Sequence, residues 1–154
     1  MPTWQDFAAV APELAEFAWE RLDRRVAYLA TVRADGGPRV HPVSPFLGGG
    51  HLYVYMAPTS PKARDLGRDG RYALHAGVED NEGGGGELSL SGRARLIPEA
   101  SERAAVFAVA RAAGHAPQAQ HVVFELEIER VLATTYPGNQ IQRRRWPAEA
   151  TDSP

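Results

Sequence analysis

The sequence predicts a mainly β fold with some helix: six or seven strands forming a small antiparallel barrel, with helices filling its ends. Two observations predict it. Stretches that read as strands outnumber helical ones and are mostly joined by hairpin-length turns, which favours antiparallel pairing over alternating βαβ units. No glycine fingerprint joins a strand to a helix, because "GGGHL" and "GGGGEL" both lead into strands. No helix dipole stands behind those glycines, which argues against a Rossmann-type dinucleotide site.

Over residues 3–22, Phe7, Val10, Leu14 and Phe17 recur at helical spacing, with Asp6, Glu13, Glu16 and Glu20 mostly off that stripe. This is an amphipathic helix that Pro12 interrupts and can split in two. From Val26 the texture changes. "VAYLATV", "VHPVSPFL" and "HLYVYMA" read as three strands in meander order, separated by the turn "RADGGPR" and by Gly48-Gly49-Gly50. Pro42 and Pro45 cannot donate ladder hydrogen bonds, so the second strand is expected to bend or to lie at an edge. Tyr53 and Tyr55 are read as facing opposite ways, one into the core and one along a cleft. "RYALHAGV" makes a fourth strand, "EDNEGGGG" a mobile loop, and "ELSLSGRARLI" alternates strictly as a half-buried strand. Residues 101–113 form a second amphipathic helix. In "HVVFELEIERVLATTY", Val122, Phe124, Leu126 and Ile128 are expected to face in, with Glu125, Glu127 and Glu129 facing water. "NQIQRRRW" is a candidate last strand.

The chain has 154 residues, 44% hydrophobic and 23% charged, with a formal net charge of −2. One domain over 1–146 is expected, followed by a polar tail, 147–154, expected to be disordered. The charge argues against a broad nucleic-acid surface. The absence of cysteine removes disulfides, thiol nucleophiles and thiolate metal sites. Neither a signal peptide nor a membrane-spanning run is read, so a cytoplasmic protein with no membrane partner is expected. His41, His51, His75, His115 and His121 show no helical zinc spacing, and no metal site is expected. The absence of G-x-S-x-G leaves hydrolase chemistry unsupported.

One stretch stands out. "MAPTSPKARDL" holds Lys62, the only lysine in a chain with 16 arginines. Ser60 suits an N-cap, Pro61 the first helical position, and Lys62 the second. A helix N-terminus favours anions. Lys62 and Arg64 in that turn are therefore unfavourable unless something negative, such as a phosphate, binds there. The alternative is a solvated surface cation.

In their order along the chain, "LATV" before a D-G turn, the strand "PRVHPV", and "SPKARDL" after a strand ending in tyrosine resemble the flavin-binding split-barrel family of pyridoxamine 5'-phosphate oxidase. The similarity runs over residues 26–96 and weakens beyond. It implies a six- to seven-stranded antiparallel split β-barrel with flanking helices, assembled as a homodimer with FMN in two clefts at the interface. By that resemblance Arg39, Val40, His41 and Pro42 pass along the flavin, and Tyr55 and Met56 end a strand beside its ring and ribityl chain. Ser60 and Lys62 hold its phosphate, with Arg39 as a second cation. Glu87 and Ser89 meet the ring across the dimer, and Trp146, after Arg143, Arg144 and Arg145, closes over the cofactor from the second subunit. The triplet suits an anionic cofactor tail or is a solvated strand end. His41 is a candidate flavin or substrate contact.

The sequence ends "RRRWPAEATDSP", without the Arg-containing ending that grips substrate phosphate in authentic pyridoxamine phosphate oxidases, so vitamin B6 oxidation is not expected. The expected activity is that of an FMN-dependent oxidoreductase acting on an unidentified small molecule, with no side chain identified as acid or base. The alternatives are a deazaflavin-dependent reductase, or a non-catalytic flavin or haem binder acting as a carrier or stress-related protein.

Overall fold

The computed structural model describes residues 1–148, so the disorder expected for the tail lies, from residue 149 on, outside the described residues. Two helices open the chain, α1 (Trp4–Val10) and α2 (Pro12–Leu22), divided at Pro12, which takes the first position of α2. Pro at that position lacks an N–H the helix would leave unbonded anyway. There follow β1 (Ala27–Val32), β2 (Pro38–Val43), β3 (Phe46–Gly48), β4 (His51–Met56), α3 (Pro61–Arg68), β5 (Arg71–Ala76), β6 (Glu87–Leu96), α4 (Ala100–Ala112), β7 (Val122–Thr135) and β8 (Gln142–Trp146).

All eight strands belong to one antiparallel sheet, in the order β2-β1-β5-β6-β7-β4-β3, with β8 added to β7. The meander expected for the first three strands is not formed. "VHPVSPFL" divides instead: β2 pairs with β1 at one end of the sheet, and β3 pairs with β4 at the other. Only Ser44 and Pro45 join β2 to β3. Two residues span little more than about 10 Å, so the two sheet ends are brought together and the sheet curls into a half-barrel without closing. Pro42 lies on the end strand β2, where a missing ladder donor is tolerated.

The inside of the curl is filled by Leu29, Leu74, Leu88, Leu90, Leu126 and Ile128, plugged by Phe7, Ala18 and Leu22 of the first two helices. A second cluster lies on the other side of β4 and β7, where Phe46, Tyr53, Ile97 and Val123 pack under Val106, Phe107 and Ala110 of α4. This second layer corrects two expectations. Glu125 does not face water: it is 2% exposed, bonded to His51 Nδ1 and, at 2.6 Å, to Arg95 Nη2. Its place in a period-2 pattern points it outward, and the outward face there is covered by α4 and by the Arg95 side chain. Tyr53 and Tyr55 share one face, as residues two apart on a strand must, and both rings contact Phe46. Tyr53 is buried and Tyr55 is half-buried.

The β6–β7 ladder slips between Ser91 and Gly92. A Cβ at Gly92 would lie 2.0 Å from the Glu127 carbonyl oxygen, a backbone atom of the paired strand. Gly92→Ala is therefore expected to cost about 2 kcal/mol by overpacking, read as a lower urea midpoint at unchanged slope. An unchanged midpoint would show that the two strands separate freely at this point.

Candidate functional site

The end of β2, the end of β4, the start of α3 and the loop after α4 surround a cleft of about 510 Å³. Pro42 and Ser44 border it from β2 and the crossover, Tyr55 and Met56 from β4, and His115 from the loop. Ser60 and Lys62 close one end. Lys62 is half-buried, and its Nζ donates to Ser60 Oγ at 3.0 Å. Ser60 is the N-cap residue of α3 by position, but its hydroxyl accepts from Lys62 and caps no backbone N–H. Its carbonyl receives the N–H groups of Ala63 and Arg64. Among the described residues no carboxylate pairs with Lys62, and burial holds its pKa below the ordinary lysine value. The arrangement is a partly desolvated ammonium at the start of a helix, hydrogen-bonded to a neutral hydroxyl.

Arg39 lies elsewhere. Along β2, Arg39 and His41 pair with Thr31 and Leu29 and face the inner side, whereas Val40 and Pro42 face outward. Arg39 Nε donates to Asp65 Oδ2 at 2.7 Å, beside Thr31 Oγ1 on the same oxygen and Arg68 Nη2 on Oδ1. Burial would raise the Asp65 pKa, but these three donors outweigh it and hold the carboxylate below its usual range. Arg39 borders a neighbouring cleft of about 400 Å³ with Arg33, Arg64 and Arg68, on the other flank of α3.

Glu87, Ser89 and Trp146 form a third group. Ser89 lies on the outer sheet face, in a cavity of about 650 Å³ shared with Ser91, Arg130, Leu132 and Arg145. Glu87 accepts a hydrogen bond from the Tyr136 hydroxyl. Trp146 borders that cavity, yet its ring packs on Phe7 of the core, centroids 5.3 Å apart. Arg144 lies over the Phe17 ring at 4.9 Å. Of the residues the sequence singled out, Pro42, Tyr55, Met56, Ser60 and Lys62 therefore meet in one cleft. Arg39 flanks that helix, and Ser89 and Trp146 border a separate surface.

Sequence reasoning missed Ser44 and His115. The cleft also continues, past Val26, Ser44 and His115, into a second one of about 510 Å³ lined by Arg24, Arg25 and Arg111. The carboxylate of Glu79 lies 4.0 Å from Arg25. No periodic signal marks loop residues of this kind; only the fold gathers them. Among the described residues no three His, Asp or Glu side chains converge as a metal site, and no helix is long and apolar enough to cross a membrane.

Residues 11–135 match the family described as pyridoxamine 5'-phosphate oxidase. The chain belongs to that family. Solved structures share the half-barrel at low identity. A haem-binding protein from Mycobacterium smegmatis superposes with a TM-score of 0.60 at 22% identity, covering 83% of this chain and 57% of its own. The chain thus spans little more than half the length of that protein. An F420 reductase gives 0.55 at 20% identity, covering 73% and 94%. A NimC/NimA-family protein from Clostridium acetobutylicum gives 0.64 at 16% identity, covering 93% and 94%. No curated protein matches the chain. Solved structures that share this fold thus include proteins named for different cofactors. The Lys62 end fits a phosphate monoester: one ammonium, one hydroxyl and a helix N-terminus converge on a cleft bordered by Pro42, Tyr55 and Met56.

Proposed function

We propose that the protein is an FMN-dependent oxidoreductase of small conjugated molecules. The observation that carries the reading is Lys62, a half-buried cation whose hydrogen-bond partner among the described residues is a neutral hydroxyl, at the N-terminus of α3 in the cleft. Lys62 and Ser60 would hold the phosphate, and Pro42, Tyr55 and Met56 would flank the rest of the cofactor and exclude water. FMN, when bound, supplies two-electron hydride transfer. The substrate would enter beside Ser44 and His115, from the arginine-lined continuation of the cleft.

The second half of each site would come from a partner copy. In support, the outer sheet face exposes Val40 at 62% and Tyr28 at 48%, continuous through Ala30 and Ala73 toward Ser89. An apolar face of this kind is what a homodimer buries. Val40→Arg is expected to convert the dimer to a monomer by light scattering and to weaken FMN retention. A wild-type monomer, or a Val40→Arg protein that still has the dimer mass, would rule the face out.

A second reading puts a deazaflavin in the same cleft, and it is favoured by Arg24, Arg25 and Arg111, which suit a longer anionic tail. Absorbance and mass spectrometry of the protein as purified decide between them. FMN is the expected mass. A deazaflavin mass would replace it with the second reading, and a Soret band would make the protein a haem binder.

A further inference from the structure

We propose that His115 is the proton donor of the cleft, serving a conjugated carbonyl acceptor such as a quinone; this rests on the flavin reading above. Its backbone N–H bonds to Ala110 O at 2.9 Å, after Gly114 turns the chain out of α4 with a φ of +92°. Its ring is gripped on two sides, by Phe46 at 5.4 Å between centroids and by Tyr55 edge-on at 5.7 Å. That fixes the imidazole at the junction of the Lys62 cleft and the arginine-lined one.

The other histidines are placed differently. His51 engages Nδ1 with Glu125, His75 with the Ala76 carbonyl, and His121 with the Gln118 N–H. His41 lies on the inner side of β2 and does not line the cleft. His115 bonds neither ring nitrogen to another described residue, and it lines the cleft. An imidazole packed between two aromatic rings, with neither nitrogen bonded among the described residues, is placed to exchange protons with a ligand. The other charged or titratable groups around it are Lys62 at α3, Tyr55 on β4, His121 beside Tyr55, Arg24 and Arg25 before β1, and Arg111 on α4.

The step balances. A hydride brings two electrons and one proton to one end of the conjugated system, drawn from the reduced flavin and ultimately from a nicotinamide nucleotide. The π electrons move to the far carbonyl oxygen. The N–H bond of imidazolium His115 breaks as the new O–H bond forms. The product is the hydroquinone, and neutral His115 is reloaded from solvent. The arginines of the adjoining cleft would stabilise the developing oxyanion but do not readily release a proton near neutrality.

The test uses FMN-loaded protein, photoreduced without oxygen and mixed with 2-methyl-1,4-naphthoquinone in a stopped-flow instrument. His115→Gln is expected to slow reoxidation about 100-fold at about pH 7 and to flatten its dependence between about pH 5 and 8. Wild-type rate and profile in that variant would overturn the proposal. Imidazole NMR of cofactor-free protein gives a second readout: the His115 signals should shift on adding FMN. Signals indifferent to FMN in a protein that binds it would also overturn it. A protein that binds no FMN sinks the cofactor reading, and with it this assignment, by a separate observation.

Discussion

Lys62→Ala is expected to lower FMN affinity roughly 10- to 100-fold and to leave the unfolding midpoint where it is. A charge-assisted hydrogen bond contributes about 1.5–3 kcal/mol, and each 1.4 kcal/mol is about tenfold in the dissociation constant. Stability should hardly move, because the ammonium's one bond among the described residues is to the Ser60 hydroxyl, and its burial works against the charge. Flavin fluorescence quenching measures the affinity and a thermal melt the stability. Equal affinity in the variant would remove the phosphate from this end of the cleft.

The same residue sets a pH dependence whose sign is fixed. Burial lowers the Lys62 pKa in the free protein, and a bound phosphate favours the charged form. Affinity is therefore full below the free-protein pKa and declines as pH rises through it. In Lys62→Ala that alkaline decline should disappear.

How much of this was legible in the sequence depends on the range of the interactions. Helix α3 was legible from Ser60-Pro61-Lys62, because the fixed φ of proline acts within one turn; the Ser60 hydroxyl bonds Lys62 instead of capping the helix. Strand β6 was legible from its alternation, since one of its faces meets the core. The break at Ser44-Pro45 was only half legible: two prolines said where pairing must fail, but not that β3 would join the far end of the sheet. Glu125 was misread because α4 covers β7 through contacts that no local period encodes. His115 was invisible for a related reason. It sits in an irregular loop, and only packing against Phe46 and Tyr55 brings it to the cleft.

Asp65→Asn tests what holds α3, and hence Lys62, in place. Asp65 is 2% exposed and ties the helix to β1 through Thr31 and to β2 through Arg39, while Arg68 closes the same carboxylate. An amide of the same shape removes the charge and leaves Arg39 without its buried counter-ion. Breaking a buried pair on one side costs about 3 kcal/mol or more, so a lower urea midpoint at neutral pH is expected. The acid limb separates charge from shape. With the folded-state pKa depressed, the contribution of Asp65 is complete above the ordinary carboxylate range and is lost as pH falls through the folded-state value. Wild type and Asp65→Asn should therefore converge in acid. A gap that persists undiminished there would mean the variant fails through packing, and an absent gap at neutral pH would mean the network does not anchor the helix. FMN affinity measured on the same variant then shows whether the helix start can still present Lys62 once its anchor is gone.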